Sequence, residues 1–127
     1  MNRKALGNSG EDAAEHYLRE RGYEILNRNY RTRLGEIDII AREGRGGKTS
    51  ADASLVFVEV KTRRSLCCGS PGEAVNYFKQ QKIIATAQCY LNMVKQPEAI
   101  CRFDVLEIYM PVPGEIRYNH IKNAFGR

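Results

Sequence analysis

The sequence predicts an α/β domain in which a mixed β-sheet is flanked by two main helices. One helical pattern is followed by three strand-like segments, then by a second helical pattern and two further strand-like segments. Residues 55–60 are almost continuously hydrophobic, which is typical of a strand that is covered on both faces. Helices on the two sides of a sheet provide such a cover, so this order of elements favours the α/β class.

Length and composition are those of a single domain spanning residues 1–127. Hydrophobic residues make up 43% of the chain and charged residues 28%, which is ordinary for a globular protein. The net charge of +5 is compatible with a nucleic-acid partner without requiring one. No apolar run has the length of a membrane span and the polar N-terminus does not resemble a signal peptide, so we expect a cytoplasmic location and no membrane association.

The cysteine and histidine content argues against a structural zinc site. The four cysteines include no Cys-x-x-Cys pair, and the only two histidines, His16 and His120, are interpreted as surface or packing residues. Free thiols in a reducing compartment are therefore expected at the four positions, which are Cys67, Cys68, Cys89 and Cys101.

The first helix is predicted to begin at Ser9, as its N-cap, and to end before Gly22. Ala14 and Leu18 belong to its apolar stripe, and Glu11 lies at the edge of the same face. The simpler explanation of Glu11 is that the helix dipole favours an acid in the first turn. The alternative is that Glu11 faces the sheet because it has a function there.

Strands are predicted over residues 23–30 and 35–40, with a cluster of arginines between them. Arg28, Arg31 and Arg33 surround an aromatic residue, and arginine offers a bidentate fork for phosphate while tyrosine offers a stacking surface. Contact with nucleic-acid phosphates and a solvated hairpin turn explain this cluster equally well.

Acidic residues alternate with isoleucines in the strand over residues 35–40. Because side chains alternate between the faces of a strand, Glu36 and Asp38 are expected on one face, with Ile37 and Ile39 on the other. Residues 43–54 that follow are rich in glycine and predict a loop joining two antiparallel strands.

The strand over residues 55–61 ends in a carboxylate and an ammonium group. Alternation places Glu59 and Lys61 on the same face as Phe57, with three valines on the opposite face. Arg63 and Arg64, which follow this strand, are further candidates for contact with nucleic acid.

The second helix is predicted to begin at Ser70, with Pro71 in its first turn, and to run to about Val94. Its expected apolar stripe consists of Ile84, Ala87, Leu91 and Val94. Most lysines on helices are simply solvated. Three polar residues of this helix are nevertheless candidate contacts for nucleic acid, because they closely follow the strand that ends in Glu59 and Lys61. They are Lys79, Gln80 and Lys82. Strands over residues 101–108 and 115–120, paired across a turn at Pro111, Pro113 and Gly114, complete the sheet.

The acidic residues of the two central strands have two interpretations. An ordinary charged sheet face with cross-strand salt bridges would contribute about 0–1 kcal/mol per exposed pair. However, three acids stand against one lysine in a sheet expected to be covered on both faces, where desolvating an ion costs several kcal/mol. A hard divalent cation removes the repulsion between such carboxylates, and oxygen ligands suit magnesium. The residues alone leave both interpretations open.

A longer set of motifs resembles a known protein family and supports the interpretation as a metal site. Asp38 followed by Glu59-Val60-Lys61 resembles the core of the restriction-endonuclease-like, or PD-(D/E)XK, nucleases. The wider set of motifs resembles the bacterial YraN family, small proteins similar to archaeal Holliday-junction resolvases: Gly10-Glu11, Gly35-Glu36-Ile37-Asp38, residues 56–63, Lys79-Gln80, residues 102–105 and residues 121–125.

This resemblance implies a restriction-endonuclease-like fold and a nuclease core that uses Mg²⁺ or Mn²⁺. Asp38 and Glu59 would be metal ligands, with the carbonyl oxygen of Val60 as a third donor. Lys61 would be the catalytic lysine, and Glu11 would match a helical acid that holds metal or water. Ile37 occupies the place of the signature's proline, and the loop over residues 43–54 is long for this arrangement.

Three functions are compatible with this sequence. The first is a metal-dependent endonuclease that hydrolyses phosphodiester bonds of nucleic acid, DNA or branched DNA in particular. The second is a non-catalytic nucleic-acid-binding module with the same fold, and the third is an interaction protein whose basic surface meets an acidic partner. Intact carboxylates and lysine favour the first. A resolvase-like role would suit a homodimer that faces two strands.

Overall fold

A computed structural model describes residues 3–44, 54–63 and 75–126 of the chain, and of residues 3–9 the backbone alone. Seven elements follow one another in the predicted order: α1 (Arg3–Glu20), β1 (Tyr23–Thr32), β2 (Gly35–Glu43), β3 (Ser54–Arg63), α2 (Tyr77–Met93), β4 (Cys101–Tyr109) and β5 (Arg117–Phe125). No helix within these ranges has the length and apolar character that a membrane span requires.

The strands form one mixed sheet in the order β1-β2-β3-β4-β5. The β3–β4 pair is parallel and the other pairs are antiparallel. Since the parallel connection contains α2, it is a crossover of the kind that parallel strands require. The predicted α/β class with a mixed sheet and two helices is confirmed.

The two helices cover opposite faces of the sheet. Phe57 of β3 belongs to the core cluster that contains the buried residues of α2, whereas Val56 and Val58 belong to the cluster that contains Ala14 and Leu18 of α1. Burial of alternate β3 side chains on both faces confirms the prediction that the hydrophobic run over residues 55–60 is a strand covered on both sides.

The alternation predicted for β2 is wrong at its start. Ile37 packs in the cluster on the α2 side, whereas Ile39 packs in the cluster on the α1 side, so these two side chains do not share a face. Pairing of β2 with β3 extends only as far as Ile39 and Val58, so beyond that point β2 is no longer held in register by β3.

Helix α1 begins six residues earlier than predicted, at Arg3 instead of Ser9. Gly22 ends it in the left-handed conformation, with φ of 88°, as the sequence indicates. Glu11 therefore lies in the middle of the helix and not in its first turn. The helix-dipole explanation of Glu11 is wrong, because the dipole acts on the first and last turns.

Helix α2 begins at Tyr77, with Asn76 as its N-cap: the Asn76 side chain accepts a hydrogen bond of 2.9 Å from the backbone N–H of Lys79. Val75 and Asn76 are not helical, so the helix predicted to run without interruption from Ser70 is wrong at these positions. The proposed cap itself, residues 70–73, lies outside the described residues.

The buried face of α2 contains more residues than the predicted stripe. Ala87 and Leu91 are buried as expected, while Ile84 and Val94 are only partly buried. Ile83, Thr86 and Tyr90 complete the buried face.

The β4–β5 hairpin is confirmed, with β5 extending to Phe125. Cys89 and Cys101 are thiols and not members of a disulfide, as expected, and the other two cysteines lie outside the described residues.

Candidate active site

Asp38 of β2 and Glu59 of β3 come together where the pairing of these two strands ends. The last paired residues are Ile39 and Val58. Beyond them, the backbone N–H of Val60 donates a hydrogen bond of 2.8 Å to Oδ2 of Asp38. The Asp38 carboxylate thus fixes the separation of the two strands at the point where backbone pairing stops.

The Asp38 carboxyl group lies in an environment that opposes its charge. Burial, followed by the charge of Glu59, raises the pKa of Asp38 to about 7, and the hydrogen bond from Val60 counteracts only part of this rise. The charge of Glu11 and hydrogen bonding with Glu59 raise it further. Two carboxyl groups that are hydrogen-bonded to each other share a proton or require a cation between them.

Two lysines lie beside the same carboxylate. Nζ of Lys79 is 3.2 Å from Oε1 of Glu59, and Nζ of Lys61 is 3.8 Å from the same atom. Burial and the neighbouring Lys79 lower the pKa of Lys61. Burial also opposes the charge of Lys79, but the interactions with Lys61 and Glu59 outweigh it and raise the pKa of Lys79.

The sequence predicted Lys79 only as a contact for nucleic acid, and the structure places it at the centre of the site. No sequence signal indicated this, because the helix start predicted at Ser70 puts Lys79 in the helix interior. Lys79 lies in the first turn of α2, where the helix dipole disfavours a cation. A lysine at such a position is expected to have a carboxylate partner, and Glu59 is that partner.

Helix α1 brings Glu11 close to this centre through a near contact with β3. A Cβ atom on Gly10 would overlap the hydroxyl group of Thr62, so only glycine allows the helix to approach the strand this closely. Oε1 of Glu11 is buried and has no hydrogen-bond partner among the described residues, and Nη2 of Arg28 lies 3.7 Å from it. A buried carboxylate oxygen of this kind is available to a ligand or to water.

The residues at the centre fit a hard divalent ion. Carboxylate oxygens are the preferred ligands of Mg²⁺, which commonly takes one or two of them and keeps several waters. The described ranges contain no group of three or more histidine, cysteine or acidic side chains that could hold a metal ion. Asp38 and Glu59 are the two carboxylates that could hold such an ion, with Glu11 nearby. The metal-binding roles predicted for Asp38, Glu59, Glu11 and the carbonyl oxygen of Val60 stay predictions.

The predicted arginine cluster does not form a single surface. Arg28 lies against α1, where it pairs with Asp12 at 2.9 Å and Glu15 at 3.2 Å. Arg31 is exposed and pairs with Glu36 at 3.0 Å, which is the ordinary cross-strand salt bridge considered for these strands. Arg33 is exposed near the β1–β2 turn. Glu36 is thus separate from the Asp38–Glu59 pair in its contacts.

The remaining candidates lie on or near the α2 side of the sheet. Nε of Arg63 is 3.1 Å from Oε2 of Glu107, which is buried and is aligned with Lys61 across the β3–β4 pair. The Gln80 side chain donates to the carbonyl oxygen of Val75 at 2.9 Å, so it supports the start of α2. Lys82 lies one helical turn after Phe78. Arg64 lies outside the described residues.

Sequence reasoning missed a second polar cluster, centred on Asp104 of β4, which is fully buried. His120 contacts it at 2.7 Å, Arg102 binds it through two hydrogen bonds of 2.8 and 2.9 Å, and the N–H of Asn123 donates to it at 2.9 Å. Arg102 also reaches Glu43 and Tyr23 at the ends of β2 and β1. The only sequence signal was an aspartate within an otherwise hydrophobic strand. Because these bonds link β4 to β5 and to the ends of β1 and β2, this cluster stabilises the sheet.

Comparison with known proteins identifies close relatives over nearly the whole chain. A model of the uncharacterised protein family UPF0102 matches residues 10–108. A UPF0102 protein of Caldicellulosiruptor saccharolyticus is 48% identical over 98% of this chain and 100% of its own length, and one of Alkaliphilus oremlandii is 47% identical with the same coverage. Among solved structures, Pyrococcus furiosus SfsA in complex with Ca²⁺ matches with a TM-score of 0.40 and 17% identity over 95% of this chain and 64% of that chain.

Proposed function

Since the chain belongs to the uncharacterised protein family UPF0102, the group that its motifs predict under the name YraN, we propose that it is a metal-dependent endonuclease that hydrolyses phosphodiester bonds of nucleic acid. The observation that carries the proposal is the meeting of Asp38, Glu59 and Lys61 at the end of the β2–β3 pairing. A charged sheet face with ordinary salt bridges accounts for this meeting poorly, because two carboxyl groups are held in contact there.

The carboxylates of Asp38 and Glu59 would hold one or two Mg²⁺ or Mn²⁺ ions. Such an ion supplies Lewis-acid polarisation of the scissile phosphate and activates a water for in-line attack. The hydrogen bond from Val60 holds Oδ2 of Asp38 in a fixed position. A site held in this way needs little reorganisation before reaction.

Lys61 would donate hydrogen bonds to phosphate oxygens, where negative charge builds up during the attack. Its pKa is lowered by burial and by Lys79, so it also exchanges a proton more readily than an exposed lysine. Lys79 offsets the charge of Glu59. Its ammonium group would also be within reach of a phosphate of a substrate bound at this site.

The test is cleavage of single-stranded, duplex and branched DNA with Mg²⁺ or Mn²⁺. We expect cleavage that is lost in EDTA and in the variants Asp38→Ala and Lys61→Ala. Glu98→Gln, an exposed acid on the connection to β4, is the matched control and should cleave as the unchanged protein does. Cleavage that survives in Asp38→Ala or in EDTA would reject this site.

Salt-sensitive binding without cleavage under any metal would instead identify a non-catalytic binding module. In that case Asp38→Ala would have little effect on affinity, because phosphate contacts come from lysines and arginines and not from the acidic pair.

A further inference from the structure

Two aromatic side chains stand exposed at the start of α2. Tyr77 and Phe78 are the first two residues of the helix, and each is 73% exposed. They immediately precede Lys79, whose ammonium group contacts Glu59. Large aromatic surface in water next to a candidate active site points to a ligand that covers it.

Phe78 lines a groove of about 500 Å³ between the start of β2 and the first turns of α2. Gly35 and Glu36 form one side of this groove, and Lys79, Lys82 and Ile83 form the other side with Phe78. A Cβ atom at Gly35 would lie 3.1 Å from the Thr86 hydroxyl group, so a larger residue there would require a small shift of that side chain. Through Lys79, the groove is continuous with the Asp38–Glu59 centre.

The charges of the groove favour a polyanion. Lys79 and Lys82 are cationic, and Nζ of Lys82 lies 5.5 Å from the centre of the Phe78 ring. Among the described residues that line the groove, Glu36 is the one acid, and it is paired with Arg31 at 3.0 Å. An open aromatic ring with ammonium groups on the same helix is the combination that binds a phosphate backbone and stacks its base.

We propose that this groove receives an unpaired base of the nucleic acid, with Phe78 as the stacking surface and Lys79 and Lys82 as contacts for the flanking phosphates. In the interior of a duplex both faces of each base are already stacked, so a long blunt duplex offers Phe78 only its two end faces. The preferred substrate class is therefore nucleic acid with a single-stranded segment next to the cleaved bond, such as a flap, a gap or a branch. The inference rests on the proposed function in that its ligand is nucleic acid.

The experiment uses the absence of tryptophan from the sequence. Phe78→Trp introduces a single indole at the groove, and its fluorescence is quenched when a base stacks on it. The titration is done with the Asp38→Asn protein in EDTA, so that neither cleavage nor a metal is required. We expect saturable quenching with an oligothymidylate strand and with a forked duplex, and much less quenching with a blunt duplex.

Phe78→Ala and Phe78→Leu should both weaken binding of the single strand by about 5- to 100-fold, because both remove the aromatic face. Binding of the blunt duplex should change by less than about twofold. Ile100→Ala is the matched control, since Ile100 is 77% exposed on a different part of the chain. It should leave both affinities unchanged.

Three outcomes would overturn the inference. The first is absence of quenching by the single strand, and the second is an equal loss of single-strand and duplex binding in Phe78→Ala. The third is a change of oligomeric state in Phe78→Ala with unaltered affinity, which would show that a second copy of the chain covers the ring. The titration does not depend on cleavage, so the two proposals can fail separately. If the base quenches the indole but the cleavage assay detects no activity, only the proposed function is rejected. If the protein cleaves nucleic acid but no quenching occurs, only this inference is rejected.

Discussion

The backbone N–H of Val60 donates to Asp38 at 2.8 Å, and the same carboxyl group lies against Glu59. One neighbour favours the charged form of Asp38 and the other opposes it. Burial and Glu59 prevail and raise the pKa of Asp38 from 3.8 to about 7. Asp38 therefore binds a proton on folding across this interval. Its contribution to stability is fully present below pH 3.8 and is lost as the pH rises through about 7.

Asp38→Asn should consequently remove a pH-dependent loss of stability. In EDTA we expect the variant and the unchanged protein to have similar free energies of unfolding near about pH 4, and the variant to be the more stable at about pH 8. The difference should be on the order of 1–3 kcal/mol, below the full value of the shift because the side chain is partly exposed. Urea unfolding at several pH values measures it. Parallel pH profiles of the two proteins would contradict the prediction, and Glu98→Gln is the control.

Binding of Mg²⁺ or Mn²⁺ should stabilise the protein in a manner that depends on both carboxylates. At about pH 8 we expect the Tm to rise with metal concentration, because an ion that binds only the folded state stabilises it by mass action. At about pH 5 the rise should be smaller, since the proton on Asp38 competes with the ion. Asp38→Asn and Glu59→Gln should abolish the rise. An undiminished rise in these variants would place the metal elsewhere, whatever the nuclease assay shows.

Much of this fold could be predicted because its signals are local. The hydrophobic run in β3 identified a strand with helices on both faces, and Gly22 identified the end of α1. The motif Asp38…Glu59-Val60-Lys61 identified groups that the fold brings together, since alternation along a single strand fixes Glu59 and Lys61 on one face.

The features that sequence reasoning missed depend on contacts between distant segments. Ile37 and Ile39 diverge where the pairing of β2 with β3 stops, which no pattern within β2 indicates. The pairing of Lys79 with Glu59 likewise depends on the packing of α2 against the sheet. Arg28 belongs to a cluster whose composition suits contact with phosphate, but the nearby acids of α1 pair with it instead.

Asp104→Asn should destabilise the protein strongly and with the opposite pH dependence to Asp38. Burial alone would raise the pKa of Asp104, but the bonds from His120, Arg102 and Asn123 outweigh it and hold the pKa below its usual value. Its contribution is thus present above the unfolded pKa and is lost as the pH falls through the lower folded pKa.

We expect Asp104→Asn to lower the free energy of unfolding by about 3–5 kcal/mol at neutral pH, because Arg102 would lose its buried partner. The difference should shrink as the solution is acidified below about pH 4. Glu24→Gln, which removes an exposed pair with Arg42, is the control and should cost less than about 1 kcal/mol. A loss that stays constant down to acid pH would show that the charge of Asp104 is not what stabilises this cluster.

The contact of Gly10 with Thr62 predicts a coupled pair of substitutions. Gly10→Ala places a methyl group on the Thr62 hydroxyl, so α1 must move or Thr62 must rotate. Overpacking of this kind costs about 1–3 kcal/mol, of which the higher helix propensity of alanine returns about 1 kcal/mol. Thr62→Ala in the same protein removes the overlapping atom, so the double variant should recover most of the loss.

The double-mutant cycle measured by urea unfolding should therefore show favourable coupling between the alanines. Gly126→Ala, where a Cβ atom meets nothing within 4 Å, is the control for the glycine-to-alanine change itself. Since Gly10 also brings Glu11 to Asp38, the single variant should weaken the metal-dependent rise in Tm, and the double variant should restore it. If the two alanines act additively, α1 does not owe its position to this contact, and Glu11 must be held near the site by other means.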